Sequence, residues 1–467
     1  MFKIDPINHK RPSWTDYQAV LKKNAAQKRI FKNALKYIIL PVILLFAVYE
    51  LIQGIGGLVT DQMEAAKTVL SEDKADTSDH SEPLISKREV QSLLDNNVFI
   101  NLKENHFDFI HDGQNFQVDT SIDIPLQQFI LKKMDRANSR RIGVVVLEPL
   151  TGKVLAMAGF DKTNPSNNPC LDNRFPAASI FKIITAAAAI EKCGFDPNTT
   201  LKFNGGKYTL YKSQLRERTN KYTARITLQD SFAQSVNPVF GKIGSLYLKK
   251  SALQTYASAF GFNQDIDFEL PLSPSFIKLT DEPYHWAEIA SGFNRQTLLS
   301  PMHGALISSA ILNSGRLVEP TVVDQITDAN GQAVYQSRLI PIQQACKKNT
   351  SIAVKKLMNA SIRSGTCRKA FRGYRKDPVL SRLNIGGKSG SIYNRSHDTR
   401  FDWFVGFAEE KEGYEKIAVS VVIAHGKYIG KRASRYGRIL IKQYFGNYFA
   451  NKKRTIKKDF LIAGHKL

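Results

Sequence analysis

The sequence predicts a mixed α/β (α+β) domain of about 300 residues, held outside a membrane by one N-terminal helix and a short stalk. Three observations predict it. A single apolar run, Tyr37–Val59, lies between a basic lead-in and an acidic stretch. After it, strand-like and helix-like runs interleave as far as the C-terminus. No internal repeat organises them. With 467 residues, 43% hydrophobic and 23% charged, the chain has room for two or three domains with packed cores, and wholesale disorder is excluded.

Residues 1–36 form a basic tail, with nine Lys/Arg against two Asp. The whole chain carries +24, and the other concentration lies in residues 426–467, with twelve Lys/Arg against one Asp. Charge gathered at the two ends reads as membrane and anionic-surface chemistry rather than nucleic-acid binding. Residues 37–59, YIILPVILLFAVYELIQGIGGLV, are long enough to cross a bilayer as a helix. The basic lead-in puts the N-terminus in the cytoplasm and everything after Val59 outside. That lead-in is too long for a cleaved signal peptide, and no small-x-small site follows the apolar run. Glu50 is the one charge in the span and is costly in lipid, so it faces a polar partner helix or the outer interface.

Residues 60–92 are an acidic linker that ends in a short helix around KREVQSLL. Residues 93–140 are a short lead-in. It has strand-like alternation on either side of Asp112–Gly113, then a helix from Asp123 to Ala137 with Pro125 in its first turn. Residues 141–450 are the main domain. It opens on a hairpin, Ile142–Leu147 and Lys153–Ala158 around the turn Glu148–Gly152. Ser179–Cys193 is apolar on nearly every side and reads as a buried helix stopped by Gly194. Trp403–Ala408 and Ile417–Ala424 read as paired central strands, and residues 435–449 as a last amphipathic helix. Residues 451–467 are a basic tail.

No CxxC or Cys/His cluster reads as a metal site, and no cofactor is implied. Outside the cytoplasm the four cysteines can pair in three ways. The local pairing, Cys170–Cys193 with Cys346–Cys367, is the expectation, with free buried thiols as the alternative. His303, His397 and His425 lack a ligand pattern and read as structural, and Trp403 as core packing.

Ser179-Ile180-Phe181-Lys182 puts a hydroxyl and an amine three residues apart, on one face of the buried helix. A serine needs a base to become a nucleophile, and a lysine can be that base only if burial or nearby charge lowers its pKa. A helix N-terminus also offers backbone N–H groups to an oxyanion. Alone the pair is a weak signal. It is joined by Ser235-Val236-Asn237, in a helical stretch, and by Lys388-Ser389-Gly390, opening a strand in GGKSGSI. SxxK at Ser179, SxN at Ser235 and KSG at Lys388 follow one another in that order, which resembles the transpeptidase domain of penicillin-binding proteins.

The resemblance covers about residues 117–449. VDTSIDIPLQ, GVVVLEPLTGKVLAMAG, SPMHGALISSAILNSGRLVEP, SGTC and FDWFVGFA are similar to further blocks of that family, in sequence. It implies the penicillin-binding/serine β-lactamase-like fold, an antiparallel sheet flanked by helices. It implies that Ser179 is the acyl-forming nucleophile and that Lys182 activates it. Ser235 passes protons between Lys182, Lys388 and the leaving amine. Asn237 orients Lys182 and binds the substrate amide. Lys388 and Ser389, with Gly390 and Ser391 beside them, hold the carboxylate of a peptidoglycan stem peptide or of a β-lactam. Backbone N–H groups of Ser179 and Ser391 form the oxyanion hole.

Residues 60–142 are too few for a glycosyltransferase domain, so a monofunctional class B-like D,D-transpeptidase is expected, with a reduced pedestal and a separate membrane glycan polymerase as partner. Two alternatives stand beside it. A β-lactamase or membrane β-lactam sensor would need a deacylating glutamate or signalling helices, and neither is legible. A catalytically inactive cell-wall scaffold is disfavoured because all three motifs are intact.

Overall fold

Residues 84–94 and 96–464 are described by the computed structural model. The basic tail, the run Tyr37–Val59 with Glu50, and most of the acidic linker lie outside the described residues. Among the described residues no helix is long and apolar enough to cross a membrane.

Helix α1 (Lys87–Leu93) starts at Ser86, where a reciprocal capping box with Glu89 satisfies two end N–H groups. Strands β1 (His106–His111) and β2 (Gln114–Thr120) pair across Asp112–Gly113. Both turn residues have positive φ, +50° and +79°, as a two-residue primed hairpin turn demands. Asp123 caps α2 (Ile124–Lys133), which stops four residues before Ala137 because the chain turns extended at Met134. Then come the hairpin β3 (Ser139–Leu147) and β4 (Val154–Asp161), a 3₁₀ turn over Ala178–Phe181, and α3 (Lys182–Cys193). Gly194 ends α3 at φ +65°, the left-handed stop that the sequence promised. Next are α4 (Leu228–Ala233), α5 (Asn237–Lys242), α6 (Pro283–Ser291), α7 (Pro301–Leu312), β5 (Val323–Asp328), β6 (Ala333–Gln336) and α8 (Lys348–Arg363). Strands β7 (Leu383–Tyr393), β8 (Arg400–Glu410) and β9 (Lys416–His425) precede the long helix α9 (Ala433–Gly464).

The central sheet runs β7-β8-β9-β3-β4 and is antiparallel throughout. Its strands read as unbroken apolar runs because both faces are covered. On β9, Ala418 and Val422 enter one core, shared with α3 and α7. Ile417, Val419, Val421 and Ile423 enter the other, with Leu126 of α2 and Tyr436, Leu440 and Phe445 of α9. A second sheet, β1-β2-β5-β6, pairs the lead-in hairpin with residues 323–336. The segment 93–140 is therefore not a separate layer: its strands and α2 complete the sheets and cores of the domain. The described residues form one compact unit.

Three further expectations change. The disulfides are absent, and all four cysteines are free. Cys170, Cys346 and Cys367 are shut into the core as small hydrophobes, and burial pushes the Cys170 and Cys346 thiols up to about 12. The helical stretch around Ser235 is broken there, since Ser235 has φ +58° and separates α4 from α5. The last helix does not end at 449 but runs to Gly464, so part of the basic tail is helical, with Lys452 paired to Glu410 at 3.1 Å.

Candidate active site

The reactive residues come from three segments. Ser179 lies in the 3₁₀ turn ahead of α3, after Ala178 at φ +48°. A non-glycine residue in that region costs about 1–3 kcal/mol. The strain turns the chain so that Ser179 faces the cleft while Lys182 points into the core. Gly292, at φ +64°, makes this possible, because a Cβ there would overlap the Ala178 carbonyl. Gly390 of β7 does the same from the other side. A Cβ there would lie 3.1 Å from the Ser179 nitrogen. The two glycines let α6 and the edge strand close on the nucleophile's backbone.

Lys182 is fully buried. Its Nζ lies 2.9 Å from Ser179 Oγ, 2.8 Å from Asn237 Oδ1 and close to the Ser291 carbonyl. Burial, then repulsion from Lys388, holds its pKa well below the ordinary lysine value. Asn237 Nδ2 donates to the Tyr208 carbonyl at 3.0 Å, which turns Oδ1 toward the lysine. Asn237 Oδ1 and the Ser291 carbonyl can only accept. A neutral amine has two N–H groups and one lone pair, so both N–H groups are used and the lone pair is left for the Ser179 hydroxyl.

The network continues in one direction. Lys388 is also fully buried, and Nζ donates to Ser235 Oγ at 2.9 Å and to the Ser389 carbonyl at 2.8 Å. Burial lowers its pKa only to about 8, so near neutral pH it keeps its proton, whereas burial and the nearby Lys388 charge hold the Lys182 pKa well below its ordinary value. Ser235 Oγ donates to Ser179 Oγ at 3.0 Å. With Lys182 neutral, the order is ammonium, hydroxyl, hydroxyl, free amine. A cation at one end and a base at the other polarise the nucleophile between them. Phe240 and Phe232 lie beneath the two amines, with ring centroids 5.5 and 5.6 Å away.

A cleft of about 770 Å³ opens over Ser179 and is lined by Ser235, Asn237, Ser389, Gly390 and Ser391. All eight site residues expected from the sequence therefore meet at one place: six line the cleft, and Lys182 and Lys388 lie beneath it. Thr366 Oγ1 lies 2.6 Å from Ser389 Oγ and adds a hydroxyl to that side of the cleft. Arg400 donates to Ser391 Oγ at 3.1 Å. Arg432 binds both oxygens of buried Asp402 at 2.7 Å and so is fixed on the rim. The sequence reading did not assign roles to Thr366, Gly292, Ser291, Arg400 or Arg432. Thr366 was within sight in SGTC, and Gly292 sits at a helix end. The Ser291 carbonyl has no sequence signal, because any residue supplies one.

Of the three histidines read as structural, His303 bonds the Phe260 carbonyl at 2.6 Å within the core, and burial lowers its pKa to about 4. His425 is buried beside Asp402. His397 stacks on Tyr393. Trp403 is fully buried and donates to the Pro176 carbonyl at 2.8 Å. Among the described residues no group of three or more potential ligands could hold a metal ion.

Residues 142–442 match the family model of the penicillin binding protein transpeptidase domain. The chain is 25% identical over 369 residues to the peptidoglycan D,D-transpeptidase PbpA of Mycolicibacterium smegmatis, covering 70% of this chain and 71% of that protein. It spans 37%, 38% and 47% of the length of three further curated penicillin-binding relatives. Its fold is similar to the D,D-transpeptidase domain of a peptidoglycan glycosyltransferase from Eggerthella lenta, with TM-score 0.59 and 22% identity over 75% of this chain and 86% of that one. It is also similar to penicillin-binding protein A of Mycobacterium tuberculosis in an imipenem acyl-enzyme complex, with TM-score 0.57 and 20% identity over 69% and 78%.

Proposed function

The chain belongs to the penicillin binding protein transpeptidase family, and from that membership we propose that it is a serine-type peptidoglycan D,D-transpeptidase that β-lactams acylate. The observation that carries the reading is the directed chain Lys388–Ser235–Ser179–Lys182, which ends on a buried amine whose pKa burial and the Lys388 charge hold well below its ordinary value.

Ser179 Oγ attacks the carbonyl carbon of the donor peptide's penultimate residue, and its proton passes to Lys182 Nζ. The N–H groups of Ser179 and Ser391 take the oxyanion. Collapse breaks the C–N bond. The proton moves through Ser235 to the departing amine, and the terminal residue leaves with its carboxylate released by Lys388, Ser389 and Thr366. An acceptor amine then attacks the ester carbonyl, the C–O bond breaks, and the amine's proton returns to Ser179 Oγ. In a β-lactam the broken C–N bond lies in a ring, so the amine stays tethered and the acyl-enzyme persists.

The reading keeps the domain outside a bacterial cytoplasmic membrane, anchored through Tyr37–Val59 and served by a separate membrane glycan polymerase. Its support is the charge asymmetry about that run and the lone Glu50 within it. Replacing Tyr37–Val59 by an unrelated span should keep penicillin labelling and lose cross-linking in cells. Full complementation by the swapped chain would make the span a mere anchor. The enzymatic reading itself is tested by a fluorescent penicillin. Covalent label is expected on the wild type and none on Ser179→Ala, and equal labelling of the two would remove Ser179 from its role.

A further inference from the structure

A second groove, about 550 Å³, adjoins the catalytic cleft and has only basic and apolar walls: Lys369, Arg372, Arg435, Arg438, Ile439 and Lys442. Lys369 and Arg435 also line the cleft over Ser179, so the two cavities are continuous. One wall is the turn segment RKAFRGYRK, residues 368–376, anchored by buried Phe371 packed 5.8 Å from Phe404. The other is the first part of α9, where Arg435, Arg438 and Lys442 fall on one stripe of the helix.

The walls are built rather than incidental. Arg438 Nη1 donates to the Ala370 and Arg372 carbonyls, at 3.1 and 2.6 Å, and staples one wall to the other. Lys442 is neutralised by Asp377 at 2.7 Å. Among the described residues Lys369, Arg372 and Arg435 have no side-chain hydrogen bond or ion pair, and no carboxylate lines either cavity. A concave wall of one sign focuses the field on whatever enters it.

We propose that this groove is an acceptor-side subsite that binds free carboxylates of the incoming stem peptide. The proposal rests on the transpeptidase reading above. Its direction follows from the cleft. On that reading the leaving residue's carboxylate sits at Ser389 and Thr366, whose hydroxyl oxygens lie 2.6 Å apart. The acceptor amine must reach the ester carbonyl along the path by which the leaving amine departed. A chain that continues from that amine across the cleft meets Lys369 and Arg435, which line the cleft and the groove alike. A flat lipid surface does not fit a concave groove. A detached polyanion fits the charge but gives no reason for continuity with the serine.

The test offers the full-length protein one donor and two acceptor peptides, identical except that the carboxylates of one are amidated. Cross-linked product is followed by mass spectrometry. The wild type should show a KM about tenfold lower for the free acid, the scale of one or two charge-assisted contacts. Lys369→Glu and Arg435→Glu should abolish or invert that preference, and the milder exposed change Arg372→Gln should reduce it. Equal KM for the two acceptors in the wild type, or a preference that survives all three substitutions, overturns the subsite. So does binding of phosphatidylglycerol vesicles or inorganic polyphosphate through these residues without any acceptor preference. Penicillin acylation of the same wild-type sample separates the two failures. No acylation sinks the transpeptidase reading, whereas acylation without acceptor preference sinks only the subsite.

Discussion

At Ser179 the decisive fact is the charge on its two lysine neighbours. Lys182 and Lys388 are both wholly buried, yet their partners differ. Burial, then repulsion from Lys388, favours the neutral form of Lys182, whose two N–H groups can go to the Asn237 and Ser291 oxygens while its lone pair faces Ser179. Lys388 stays cationic up to about pH 8. The signs for the rate follow. Lys182 must be deprotonated, so acylation rises with pH through its lowered pKa. Lys388 must be protonated, so acylation falls as pH rises through about 8. The second-order acylation constant measured against pH should therefore be bell-shaped, with its alkaline limb near 8. A rate still climbing at high pH would contradict the cationic role of Lys388. Asn237→Asp tests the other end. A carboxylate in place of Oδ1 would hold a proton on Lys182, and acylation should fall by about 10²-fold or more. Folding, followed by thermal melting, should change far less than the rate.

The elements that deliver these side chains are held by close backbone approach rather than by side-chain bulk. Gly292 at the end of α6 presses on Ala178, and Gly390 of β7 presses on Ser179. Gly292→Ala adds strain at positive φ to an overlap with the Ala178 carbonyl, so a loss of stability of about 1–3 kcal/mol is expected, with acylation falling alongside. A wild-type melting temperature and acylation rate in that variant would show that the contact is dispensable. These elements also show what the sequence could reveal. Ser179, Lys182, Ser235, Asn237, Lys388 and Ser389 were legible because their chemistry needs particular side chains at particular spacings. The break at Ser235 was not legible, because its φ of +58° belongs to a residue type that ordinarily sits in helices or turns alike. The Ser291 carbonyl and the Ala178 strain are backbone features that no composition rule carries. The strands β8 and β9 were visible as apolar runs, but their order beside β3 depends on contacts between segments far apart in the chain.

At the scale of the whole molecule, the base role proposed for Lys182 depends on the fold. Ser235 lies 56 residues from Ser179, and Lys388 lies 153 residues beyond Ser235. Both arrive only when two cores close on the central sheet and take Lys182 out of water. Those cores need no covalent staple. Alkylation of the unfolded protein without reductant should modify all four cysteines, and protection of any pair would restore a disulfide. The lead-in hairpin was legible as two strands about a turn, whereas its union with residues 323–336 in one sheet was not, because long-range pairing leaves no local signal. The account stands most directly on Lys182→Arg, which keeps the positive charge but removes the ability to give up a proton. Ser179 acylation by a penicillin should be timed in that variant and in the wild type at neutral pH, with folding verified for both. The expected result is a fall of about 10²–10⁴-fold, the loss of a general base. A rate within about threefold of wild type, well short of that loss, would contradict the claim that neutral Lys182 takes the proton of Ser179.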